Sequence, residues 1–142
     1  MHAWDQIGAQ ISITNGNPFK IKDTRPISGG CINQTYYIGD GAQHYFVKLN
    51  SPGSLNIFEA EAAGLMEIHQ SRTLRVPLPV CYGHDDHAAW LVLEYLDLNV
   101  GARGKASDLG IQLAAMHRTA AKQFGWIRDN TIGQTPQINT AS

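Results

Sequence analysis

The chain has 142 residues, 43% apolar and 16% charged, enough for one domain with its own core and compatible with a soluble globular protein. A formal net charge of −1 gives no electrostatic case for nucleic acid or an anionic membrane. No apolar run is long enough to cross a bilayer, the N-terminus lacks a signal-peptide core, and two cysteines, Cys31 and Cys81, make no disulfide framework, so a cytoplasmic setting is expected.

Ala3 to Ile13 carries Trp4, Ile7 and Ile11 at helical spacing, and Asn15-Gly16-Asn17-Pro18 stops the run; a short helix packed outside a sheet is expected. Ile21 to Ile27 reads as a first strand, which Pro26 places at an edge because proline gives no ladder donor. The turn Ser28-Gly29-Gly30-Cys31 follows, then a second strand from Gln34 to Ile38. Gly39-Asp40-Gly41 is a hairpin turn by composition.

The next strand, His44 to Asn50, alternates: Tyr45, Val47 and Leu49 share one face, and His44, Phe46, Lys48 and Asn50 share the other. Ser51-Pro52-Gly53-Ser54 breaks it, and a helix should run to about Gln70. At about 100° per residue, Ile57, Glu61, Leu65 and Ile68 fall in one stripe, the face expected to be buried, with Glu59 and Glu67 outside it. A carboxylate in that stripe needs a partner or takes up a proton, and Lys48 is the nearest available cation. Glu59 is the rival, but helical phase favours Glu61.

Val76-Pro77-Leu78-Pro79-Val80 is extended by its prolines and leads into a strand around Val80 to Tyr82. Gly83-His84-Asp85-Asp86-His87 is a polar turn, and Trp90 to Tyr95 is a strongly apolar strand. The sum is about five antiparallel strands with a helix across them, an α+β domain. Leu98 to Lys105 should be a connector. Ser107 can cap a helix with Leu109, Leu113, Met116 and Ala120 on one face. Phe124 to Ser142 is mostly loop by composition.

Strand, glycine turn, lysine strand and glutamate helix stand in the order of the small lobe of protein-kinase-like phosphotransferases. The wording resembles one branch, the fructosamine (ketosamine) kinases, at Gly29-Gly30-Cys31-Ile32-Asn33, Phe46-Val47-Lys48, Phe58-Glu59-Ala60-Glu61 and Val92-Leu93-Glu94-Tyr95-Leu96-Asp97-Leu98. Leu113-Ala114-Ala115-Met116-His117-Arg118, Phe124-Gly125-Trp126 and Asp129-Asn130-Thr131-Ile132-Gly133 continue it. The resemblance implies a small lobe over residues 1–95, followed by a hinge and the start of a large lobe over 96–142. It also implies ATP with Mg²⁺ as cofactor and a ketosamine or other sugar-amine as substrate. Lys48 would hold the phosphates and Glu61 would orient Lys48. Gly29, Gly30 and Cys31 would cover the phosphates, and Glu94, Tyr95 and Leu96 would hold adenine, Glu94 through its backbone.

Each residue also has a plainer reading. The glycine pair could be only a hairpin turn, and it departs from the full kinase glycine pattern. Neither G-x-x-x-x-G-K-[ST] nor a strand-to-helix G-x-G-x-x-G occurs. Lys48 could be solvated, and Phe46 could wall an adenine pocket or merely pack. Cys31, in a turn rich in backbone N–H groups, could be an oxidisable thiol or a small turn residue, with a Cys31–Cys31 homodimer one outcome. His84, Asp85, Asp86 and His87 read as a solvated loop before a metal site. His117 reads as structural, and Asp129 and Asn130 as a structural or substrate-side loop.

No His-Gly-Asp or Asp-Phe-Gly-like run occurs, so no catalytic residue is assigned within these residues and the Mg²⁺ ligands are expected beyond Ser142. The expectation is therefore the ATP-binding lobe of a ketosamine kinase, inactive alone. Alternatives are an aminoglycoside- or choline-type phosphotransferase lobe, and a non-catalytic nucleotide-binding or dimerising fragment.

Overall fold

The computed structural model describes residues 3–29, 32–98 and 106–140. Helix α1 (Ala3–Asn15) precedes strands β1 (Asp23–Ile27), β2 (Gln34–Gly39) and β3 (His44–Asn50). A single 3₁₀ turn at Pro52–Ser54 leads into helix α2 (Leu55–Ser71), then strands β4 (Pro79–His84) and β5 (Ala89–Glu94). All five strands pair antiparallel in the order β1-β2-β3-β5-β4. β1 is an outer strand, as Pro26 requires.

The alternation of β3 divides the core. Val47 joins Ile38, Cys81, Trp90 and Val92 under Ile7 and Ile11 of α1, with Phe19 closing the end. On the opposite face Phe46 packs with Leu91 and Leu93 under Phe58 and Ala62 of α2. Because a helix covers each face, β5 is buried from Ala89 to Leu93, which is why it reads as a continuous apolar run. Each large side chain so buried contributes about 1.5–3 kcal/mol.

Polar contacts fix the register of α1. Gln10 accepts from Trp90 Nε1 at 2.8 Å and donates to the Tyr82 carbonyl at 2.9 Å. The Trp90 ring lies over Gly83, where an added Cβ would sit 3.0 Å from a ring atom. Two hairpin turns use the same device. Asp40 Oδ1 accepts the N–H groups of Gln43 and Ala42, and Asp85 Oδ1 those of His87 and Ala88. These donors hold both carboxyls below their ordinary range.

The buried face of α2 differs from the expected stripe. Phe58, Ala60 and Ala62 are buried, whereas Ile57, Glu61, Leu65 and Ile68 are only half-buried. Small alanines let the helix sit close to β5, so the contact line runs through Phe58 and Ala62 instead. Helix α3 (Ala106–His117) contains Ser107 in its first turn, where it cannot be the cap, and ends before Ala120. None of its residues is buried, and Leu109 is 56% exposed. The connector expected at Leu98 to Lys105 lies, beyond Leu98, outside the described residues.

The tail expected to be mostly loop holds a small hairpin, β6 (Asn130–Ile132) paired with β7 (Thr135–Gln137), turning at Gly133 with φ +61°. Asp129 accepts the N–H of Asn139, whose amide donates to Asn130 Oδ1. Both residues therefore brace the hairpin base.

Candidate functional site

Lys48 lies on the α2 side of β3, between Thr35 of β2 and Leu91 of β5 in register. Glu61 stands on α2 with its Oε1 2.6 Å from Lys48 Nζ. Their side chains are 24% and 29% exposed, so the pair is shielded but not dry. An ammonium has three donors, and one bond to Glu61 leaves two for an anionic ligand. The glutamate fixes a flexible four-carbon stem in one place and balances its charge while the site is empty of anions.

Glu59, the rival carboxylate, faces elsewhere and meets Arg128 Nη2 at 3.1 Å. Glu67, about two turns further along α2, accepts from Trp126 Nε1. A groove of about 460 Å³ runs beside Glu61 between α2 and this later segment, lined by Ile57, Leu65, Ile68, Trp126 and Thr131 among others. That groove explains why the expected stripe is only half-buried.

Of the glycine turn, Gly29 is described with φ +133°, a conformation side chains resist. Gly30 and Cys31 lie outside the described residues. The turn is tied to the lysine strand by Asn50, two positions after Lys48 on the same face. Its Nδ2 donates to Asn33 Oδ1 at 2.7 Å and to the Ile32 carbonyl at 3.3 Å.

Glu94, expected to act through its backbone, has a structural use for its carboxylate. It pairs with Arg75 at 2.7 Å and accepts the Leu78 N–H, while its own N–H donates to the Leu78 carbonyl. Tyr95 is held edge-on by Tyr37 and His44, with ring centroids 5.2 and 5.4 Å away, and Arg25 caps Tyr37 at 4.1 Å. Leu96 follows, half-buried. Phe46 packs into the α2-side core.

The structure thus brings Lys48 and Glu61 together and ties the end of the glycine turn to their strand through Asn50. Glu94 to Leu96 lie where the chain leaves β5. Sequence reading missed Asn50, Arg128, Trp126 and the Tyr37–His44 cradle. Asn50 and His44 carried a signal in their place on the Lys48 face, and Trp126 in the Phe124-Gly125-Trp126 run; Arg128 carried none. His84, Asp85, Asp86 and His87 form the β4–β5 turn, and among the described residues no three His, Cys, Asp or Glu side chains are grouped to hold a metal. No described helix is long and apolar enough to cross a membrane.

Lys48, held in place by a helix carboxylate, is thus a fixed cation able to hold an anionic group. The family model described as fructosamine kinase matches residues 3–142. A probable ketoamine kinase of Synechocystis is 47% identical over 137 residues, covering 96% of this chain and 46% of that protein. The chloroplastic protein-ribulosamine 3-kinase of Arabidopsis thaliana is 39% identical over 133 residues, covering 92% and 40%. A crystal structure described as a "putative fructosamine-3-kinase" from Haemophilus somnus superposes with TM-score 0.89 at 23% identity, over 99% of this chain and 50% of that one, and shows the same fold. The chain spans about half the length of the curated relatives it matches.

Proposed function

The chain belongs to the fructosamine kinase family, and on that premise we propose that residues 1–95 are the ATP-binding lobe of a ketosamine kinase, with 96–142 its hinge and the start of the large lobe. The reaction class is transfer of the γ-phosphoryl group of ATP to a sugar hydroxyl of a ketosamine, such as a glycated amine or protein lysine. ATP with Mg²⁺ supplies the phosphoryl group and the charge neutralisation. This chain supplies position: Lys48 holds the phosphates and Glu61 keeps Lys48 in place. Gly29 and Gly30 let the backbone close over them, with Cys31 beside them, and Glu94, Tyr95 and Leu96 hold adenine. The observation that carries the reading is the 2.6 Å Lys48–Glu61 pair spanning sheet and helix.

Calorimetric titration of the 142-residue chain tests it. ATP should bind, Lys48→Met should weaken ATP at least tenfold, about 1.4 kcal/mol of charge-assisted bonding, and adenosine should bind both forms alike. An ATP affinity indifferent to Lys48 would refute the assignment. The chain alone should not phosphorylate fructosyl-lysine, since none of its residues matches the catalytic Asp loop; turnover by the purified chain would overturn that. The expected cytoplasmic setting and the Cys31-linked homodimer are part of the same proposal, and sizing with and without reductant tests the dimer.

A further inference from the structure

Helix α2 carries Glu61 on one side and two further glutamates, Glu59 and Glu67, that are not used by Lys48. Both are engaged by one distant segment of the chain: Arg128 Nη2 lies 3.1 Å from Glu59 Oε2, and Trp126 Nε1 donates to Glu67 Oε2. Glu59 and Glu67 are about two turns apart along α2 and roughly 80° apart around it, so the two contacts grip it at separate heights and on adjacent faces. Phe58 and Ala62 already seat the helix on the sheet; two further contacts at different heights, from the side of the later segment, add resistance to both rotation and tilt. The segment continues into β6, whose Asn130 and Thr131 line the groove beside Glu61.

We propose that Trp126 and Arg128 form a strap whose role is to position α2, and through it Glu61, so that Lys48 is presented for phosphate; Trp126 and Arg128 are positioning residues, not ligand contacts. The proposal rests on the nucleotide reading above for its effect on ATP, but its effect on the helix stands apart from it. The Arg128–Glu59 pair is one third exposed on each side, so its loss should be tolerated by the fold while the helix loosens.

The test uses the 142-residue chain as parent, Arg128→Ala, Trp126→Phe, and the swap of Glu59→Arg with Arg128→Glu, each also in a Lys48→Met background. Amide hydrogen exchange across α2 and calorimetric affinity for ATP and for adenosine are measured on each. Arg128→Ala should speed exchange of the α2 amides relative to those of β3 and β5. It should weaken ATP by roughly threefold to fivefold, the share of a partly exposed ion pair, and leave adenosine unchanged. The swap should restore both readouts, and in a Lys48→Met background the strap variants should have no further effect on ATP. Trp126→Phe, which keeps an aromatic ring but a smaller one and removes the N–H donor, should act in the same direction more weakly, and it serves if Arg128→Ala fails to fold. Parental α2 exchange in the strap variants overturns the proposal, as does an equal loss of ATP and adenosine. If the parent fails to bind ATP but α2 still loosens and the swap still restores it, the nucleotide assignment falls while the strap's hold on Glu61 stands.

Discussion

Replacing Lys48 by methionine is the sharpest test of whether the ion pair is there for stability or for chemistry. The pair is about three-quarters shielded on both sides. It lies between the exposed ion pairs, worth about 0–1 kcal/mol, and buried ones, where losing one partner costs about 3–5 kcal/mol. Lys48→Met leaves Glu61 half-buried beside Leu65 with no cation, so a cost of about 1–2 kcal/mol follows. For a chain of this size that is roughly 3–6 °C in melting temperature. Lys48→Met with Glu61→Leu removes both charges next to Phe46, Leu65 and Leu91, and should melt within about 3 °C of the parent or above it, because the desolvation of two charges disappears with them. Both variants should lose the phosphate-dependent part of ATP binding. Circular dichroism melts and calorimetry on the four corners of the cycle decide the matter. Parental melting in Lys48→Met would mean the pair does not form in solution, and parental ATP affinity in the double variant would mean it exists only for packing.

Gly83→Ala should destabilise by roughly 1–2 kcal/mol, since its Cβ would stand 3.0 Å from the Trp90 ring; an unchanged denaturation midpoint would contradict the packing. Gln10→Leu strands the Trp90 N–H and should cost about 1–2 kcal/mol in the same assay. The carboxyls of Asp40 and Asp85 are depressed below their ordinary 3.8 by turn N–H donors. They therefore contribute stability that is present above that value and is lost as pH falls through their lower folded-state values. Asp40→Asn with Asp85→Asn should flatten the acid limb of the stability curve, and an unaltered limb would count against it. Burial pushes the Cys81 thiol up to about 12, so it should resist iodoacetamide at pH 8 until the chain unfolds; prompt labelling of Cys81 in the folded protein would show otherwise.

Much of the fold was legible because its strands carry local information. The alternation of His44–Asn50 fixed both faces of β3, and the proline at position 26 marked an outer strand. The Lys48–Glu61 pair was reached from the strand alternation and the family resemblance, although the stripe assigned to Glu61 is only half-buried. Periodicity could not say which side of α2 meets the sheet, because Ala60 and Ala62 give little apolar signal yet permit the closest approach. Ser107 looked like a cap by residue type, but the helix already includes Ala106. β6 and β7 are three residues each, too short to alternate visibly within a segment whose composition reads as loop. Trp126 and Arg128 reach α2 across 59 and 69 positions of sequence, a distance over which no local pattern operates. The carboxylate of Glu94 was likewise claimed by Arg75 and Leu78 through the return of the chain beside β5.

The strand order leaves β1 and β4 as the rims of the sheet, and neither invites a further strand. β1 offers a missing donor at Pro26 and the exposed charges of Asp23 and Arg25, while β4 begins at Pro79 and slips register before Cys81. A sheet so blunted resists growing by addition of backbone from a neighbour. Self-association of this chain through β-ladder extension, and the fibrillar fate that follows from it, is disfavoured at both borders, which turns attention to helical and loop surfaces whenever two copies meet.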